Sequence, residues 1–184
     1  MATVTIAQFT IFSLIAAPLL FALSAYLTRA TPRRVVGALL GGLGFGAANL
    51  MWDVAAYHTG WWHYPFTTAP YAALPLYLAD GLFYGAAIGL IGWRVTRRFG
   101  RRGLLVFLAL FTLYGMVRDV GGAAATHDAY LIFGAGLVPV LADGASWLVD
   151  QALAQGLMRL VAGPAKSDPL ARSSKDHKEL RVSP

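Results

Sequence analysis

Charge in this chain is confined to a few short stretches, and long apolar runs separate them. The first charged side chain is Arg29. Basic clusters follow at Arg33 and Arg34, and at Arg94, Arg97, Arg98, Arg101 and Arg102. The last begins at Arg159 and continues with Lys166, Arg172, Lys175, Lys178 and Arg181. The runs between clusters are each close to the ~20 residues that carry a helix across a bilayer. In lipid every backbone N–H and C=O must be satisfied within the protein, so such runs are helical. Charged residues make up only 13% of the chain, against about 25% in an ordinary soluble domain.

The pattern predicts an all-α membrane protein of one domain, 1–162, with five spans over 5–27, 35–57, 71–93, 103–125 and 131–154. The first apolar run lacks a basic stretch ahead of it, so it is read as a retained helix and not a cleaved signal. Residues 163–184 are polar and basic and are expected to be a disordered tail. Basic residues occupy alternate links, while 58–70 and 126–130 have neither Lys nor Arg. By the positive-inside rule the N-terminus is outside and the C-terminus cytoplasmic, in a multi-pass protein of a cell membrane, expected to be a bacterial inner membrane. The net charge of +6 is spread over these links and not along one folded face, which argues against nucleic acid. There is no cysteine, which excludes disulfides, thiolate catalysis and Cys-ligated metal.

Two short motifs recur in order. Met51-Trp52-Asp53-Val54 resembles Val117-Arg118-Asp119-Val120, and Leu78-Ala79-Asp80-Gly81 matches Leu141-Ala142-Asp143-Gly144. Their matching places predict a two-helix unit repeated in tandem, the halves related by an axis along the membrane normal.

The informative residues are acids inside apolar runs. A charge at mid-bilayer costs about 2.5–3.5 kcal/mol on insertion scales, so such acids face the bundle interior. At ~1.5 Å per residue from the basic ends, Asp53 and Asp119 fall in the outer third, and Asp80 and Asp143 nearer the middle. Helical spacing puts Asn49, Asp53 and Tyr57 on one stripe, Tyr77, Asp80 and Tyr84 on another, and Asp143, Ser146, Trp147 and Asp150 on a third. Arg118 points about 100° away from Asp119, which suggests an acid on another helix as its partner. Gly37 and Gly41, and Gly81, Gly85 and Gly89, form small-residue ridges suited to close helix packing. The link His58-Thr59-Gly60-Trp61-Trp62-His63-Tyr64-Pro65-Phe66 has the composition of an interfacial aromatic belt. His58, His63, His127 and Asp128 lie near the outer surface, but their spacing matches no standard metal site. Neither metal nor cofactor is expected.

Trp52-Asp53, Gly60-Trp61, Tyr64-Pro65 and Leu74-Pro75 resemble the W-D … G-x-W-x-Y … L-P pattern of lycopene cyclase domains. These are small membrane carotenoid cyclases, with related-looking terpene cyclases acting on prenylated quinones and indoles. The resemblance covers residues 45–85 well and 112–150 weakly. In that family acids follow L-P almost at once, whereas here Leu76-Tyr77-Leu78 intervenes before Asp80. Asp53 is the position that carries over.

The resemblance implies a cofactor-free isoprenoid cyclase. A neutral carboxylic acid would protonate an alkene or epoxide of a lipophilic polyprenyl substrate, and the carbocation would close rings. Burial among apolar groups disfavours the charged form of a carboxyl, which suits a general acid. Asp53 or Asp80 is the expected acid, with Asp119 and Asp143 as partners. Trp52, Trp61, Trp62, Tyr77, Tyr84 and Trp147 offer ring faces to the cation, and Asn49, Tyr57, Tyr64 and Arg118 complete the expected substrate pocket. Two other readings fit the same residues. One is a non-enzymatic lipid-binding or assembly protein, in which the acids are interhelical glue. The other is a small proton-coupled carrier, which with five spans would need a homo-oligomer.

Overall fold

The computed structural model describes residues 6–65, 67, 80–127 and 131–167, and it is all-helical apart from one minimal ladder. Helix α1 covers Ile6–Thr28 and α2 covers Pro32–Thr59. A π-helical segment, Asp80–Gly85, leads into α3, Ala86–Ala125. Helix α4 covers Leu137–Ala162, and a 3-10 turn, Ala165–Ser167, follows it. The strands β1 (Trp62–His63) and β2 (Ile132–Phe133) pair antiparallel, Trp62 opposite Phe133.

Helix α2 begins three residues before the expected span because its start is capped. Thr31 is extended, its hydroxyl accepts the Arg34 N–H at 3.3 Å, and Pro32 occupies the first turn, where a missing N–H costs nothing. Thr31→Ala is expected to lower stability by about 1 kcal/mol, read as a shift in the unfolding midpoint of the purified protein.

Helix α3 is not one rod. Gly100 sits at φ 66° and ψ −151°, a backbone region open to glycine but strained for residues with a Cβ. The chain reverses there. Tyr84 and Tyr114 hydroxyls meet at 3.3 Å, and Phe107 crowds Gly92. The arms 86–99 and 101–125 therefore lie side by side, as the fourth expected span, 103–125, requires. The third, 71–93, is described only from Asp80 onward; residues 71–79 lie outside the described set.

The fifth expected span starts late. Residues 131–133 are extended and spent on pairing with β1, and α4 begins only at Leu137 and runs on to Ala162. The expected tail is described only over its first five residues. Residues 163–167 are ordered, with Ala165 packed on the cluster of Ala38, Leu90, Trp93 and Met158. Residues 168–184 lie outside the described set.

Small residues bring the helices close. Gly41 faces the Ala154 backbone, and Gly81 faces Gly46, so a Cβ at either would collide with backbone. Gly89 meets nothing, and the ridge reading fails there. Its carbonyl instead accepts from Gln155 at 2.9 Å.

Beside its apolar clusters the interior holds many polar groups, and the exterior is apolar. Asp53, Asp119, Asp143, Asp150, Gln151 and Arg34 are buried, while Ile11, Leu19, Leu110, Val117, Leu141 and Leu160 are exposed. That inverts the usual soluble pattern. Pro32–Thr59 and Gly81–Ala125 are long and apolar enough to cross a membrane. Every described lysine and arginine except Arg118 lies at one end of the bundle. There Arg33 donates to Val161 O at 2.8 Å, Arg34 to Gly163 O at 3.0 Å, and Arg94 to Leu27 O.

Candidate functional site

At the opposite end α1, α2, α3 and α4 surround a cavity of about 480 Å³. Asp53, Asp119 and Asp143 all line it, from three different helices. Asn49, Trp62, Tyr64, Tyr84, Arg118 and Trp147 line it too. Helix α1 contributes a mostly apolar part of the wall, Ala16, Ala17 and Leu20 with Ser13.

Each acid is held differently. Asp53 Oδ1 accepts the Trp62 indole N–H at 2.7 Å. Asp119 is engaged at both oxygens: Oδ2 accepts from Trp147 Nε1 at 2.8 Å and Oδ1 from Arg118 Nε at 2.9 Å. Asp143 lies against Asp119, and its Oδ2 is buried with no hydrogen-bond partner among the described residues. Asp150 sits deeper on α4, 1% exposed, where Asn49 Nδ2 reaches its Oδ2 at 3.5 Å.

Several expectations need correction. Arg118 pairs with its own neighbour Asp119, its long side chain bending back while the guanidinium covers the Trp147 ring at 4.7 Å, and it also acts electrostatically on Asp143 of α4, the cross-helix acid the expectation called for. Trp62 is not an interfacial anchor. It is 4% exposed and turned inward, because Asp53 satisfies its one polar atom and Ala56, Ala123 and Leu131 pack on its ring. Trp52 and Trp61 belong to that same cluster and do not line the cavity. Tyr57 leaves its stripe: it is 42% exposed, with its ring against His58. Tyr77, Phe66 and Asp128 lie outside the described residues, as does the side chain of Asp80. His58, His63 and His127 are exposed, and among the described residues no three metal-ligating side chains come together.

The site also holds residues that sequence reasoning missed. Tyr114 lines the cavity and meets Tyr84. It sits one helical turn before Arg118, so the i, i+4 rule applied backwards from Arg118 would have found it. Phe45 is found the same way, one turn before Asn49, whereas Ser13 gave no signal. Phe45, Phe111, Tyr114 and Trp147 form one aromatic group, with Phe111 edge-on to Trp147 at 5.4 Å.

The chain matches no protein-family model, no curated protein and no solved structure. The geometry therefore carries the functional argument. A cavity whose wall holds one buried carboxyl oxygen without a hydrogen bond among the described residues, carboxyls that accept indole and guanidinium N–H groups, and phenol and indole rings can hold an apolar molecule and offer it a proton.

Proposed function

We propose that this chain crosses a membrane five times, N-terminus outside, and that its aspartate-lined cavity cyclises a lipophilic isoprenoid by protonating it. Membrane placement is supported by the apolar exterior and by the gathering of basic residues at one end, as the positive-inside rule requires. A tandem repeat is supported by Asp53 and Asp119, which face one cavity from corresponding helices and each accept an indole N–H.

The observation that carries the proposal is the convergence of Asp53, Asp119 and Asp143 on one cavity whose α1 side is mostly apolar. Its size lies in the ~300–1,000 Å³ range of small-molecule sites. Hydrogen bonding moves the choice of acid from Asp53 to Asp143. A carboxyl with both oxygens accepting N–H bonds, like Asp119, has no O–H aimed at a substrate. Asp143, which meets Asp119 on one side, keeps Oδ2 buried without a hydrogen bond among the described residues, and that is the oxygen taken to carry the proton.

The chemistry balances as an isomerisation. The Asp143 O–H gives its proton to an alkene carbon, whose π electrons form the new C–H bond. The cation is attacked by the next double bond, which closes the ring. A C–H beside the final cation then returns a proton to a carboxylate oxygen. Ring faces of Trp62, Tyr64, Tyr84 and Phe45 line the path, each able to contribute about 1–2 kcal/mol to a desolvated cation. Trp147 is less available, since Arg118 already covers one of its faces.

Purified protein incubated in D2O with lycopene or prenyl quinones is expected to give a cyclised product carrying one carbon-bound deuterium, and with their epoxides a cyclised alcohol whose deuteron sits on oxygen and exchanges. Absence of product from all of them would overturn the proposal.

A second reading, a proton-coupled carrier, has one observation behind it. On α4, Asp150 Oδ1 and both polar atoms of the Gln151 amide are buried without partners among the described residues, and the cyclase does not use them. Proton flux in liposomes without any polyprenyl substrate would favour the carrier.

A further inference from the structure

A second cavity, about 380 Å³, lies at the basic end and shares no residue with the first. Four elements build it. Arg34 comes from α2, Trp93 and Arg101 from the two arms of α3, Met158 and Arg159 from α4, and Lys166 from the 3-10 turn. Among the described residues no acid lines it. Its charge is therefore strongly positive.

Its floor is as specific as its rim. Trp93 is 1% exposed and Arg34 3%. The guanidinium of Arg34 lies over the Trp93 ring at 4.7 Å, and that of Arg97 at 4.8 Å. Arg34 is fixed further by its bond to Gly163 O at 3.0 Å. The Trp93 indole N–H is buried with no hydrogen-bond partner among the described residues. An unmet buried N–H costs about 1–3 kcal/mol, and in a cationic wall the group that relieves it is an anionic oxygen. Met158 and the Trp93 ring supply an apolar surface beside this donor.

We propose that this cavity binds the phosphate of an anionic amphiphile, with Arg101, Arg159 and Lys166 at the rim and Arg34 and Trp93 beneath. Basic pockets between helices on the cytoplasmic side suit acidic headgroups. The inference uses the membrane placement above but not the cyclase chemistry. Its test reads binding alone, so cyclase failure leaves it standing.

The full chain, purified in a non-ionic detergent, would be offered phosphatidic acid, phosphatidylcholine and inorganic phosphate in separate arms and followed by native mass spectrometry. One retained equivalent of phosphatidic acid, and none of phosphatidylcholine, is expected. Retention of inorganic phosphate with equal affinity would support the same phosphate site but assign it to a free anion. Arg101 and Arg159 have exposed side chains, so the double variant R101Q/R159Q is expected to fold and to bind roughly thirty-fold more weakly. Arg102→Gln, exposed and outside the cavity, serves as the charge control and is expected to bind as the parent does. Equal losses in R102Q and in R101Q/R159Q would overturn the proposal, as would no preference for either phosphate probe over phosphatidylcholine.

Discussion

Asp143→Asn is expected to eliminate deuterium incorporation into the cyclised product while the protein stays folded. Asparagine matches aspartic acid in shape but has no acidic proton to give an alkene. A positioned general acid contributes about 10²–10⁴-fold to a rate, and the hydroxyls that also line the cavity, those of Tyr84 and Ser13 among them, are far weaker acids than a carboxyl. Stability should not fall. Asp143 Oδ2 makes no hydrogen bond among the described residues, so the amide forfeits none there. It also removes one of two adjoining carboxyls. The comparison variant is Asp53→Asn, whose amide oxygen can still accept the Trp62 N–H, and whose activity should fall less. Equal loss in the two variants would return the role of acid to the position singled out by the resemblance. A drop of several degrees in Tm for Asp143→Asn would mark it as a structural residue.

Much of the helical frame was legible, because a bilayer-length apolar run bounded by arginines has few other folds. The true start of α2 lies three residues before the expected span, because the Thr31 cap and Pro32 act on the backbone and leave no mark on the apolar pattern. The misreadings share a cause. Composition gives the surroundings a residue prefers, not the direction in which a link folds. Trp61-Trp62 in a polar link looked interfacial, yet the β1–β2 pairing turns Trp62 inward onto Asp53. The same pairing removed residues 131–133 from the last helix. Helical angle gave only part of the account for Arg118, which acts on Asp143 of α4 as well as on Asp119. Angle fixes where a Cβ points, and a guanidinium several bonds further out can return to the adjacent carboxylate. The acids themselves were readable, since carboxyls in apolar helices need an interior. Which of them would keep an oxygen open was not, because it depends on donors from Trp62, Trp147 and Arg118 arriving from a link and from two helices.

Trp147→Ala is expected to be among the most damaging substitutions in the bundle, lowering stability by about 3–5 kcal/mol. Trp147 is 5% exposed and joins α4 to both α2 and α3. Its ring meets Phe45 at 6.1 Å, Phe111 at 5.4 Å and Tyr114 at 6.5 Å. Its N–H holds Asp119, and its face carries Arg118. Truncation removes the packing, leaves the buried Asp119 short of a donor and frees the exposed Arg118 side chain from its ring. Trp147→Phe separates the two effects: it keeps most of the ring but leaves Asp119 Oδ2 without its donor, for about 1–3 kcal/mol. Denaturant unfolding in mixed micelles, followed by helical circular dichroism, gives both numbers. Combining Trp147→Phe with Asp119→Asn should show a coupling of about 0.5–3 kcal/mol, since the partners touch. If Trp147→Ala unfolds within about 1 kcal/mol of the parent, the aromatic group does not hold these helices together. The cavity that depends on it would then lack the fixed walls that proton delivery requires.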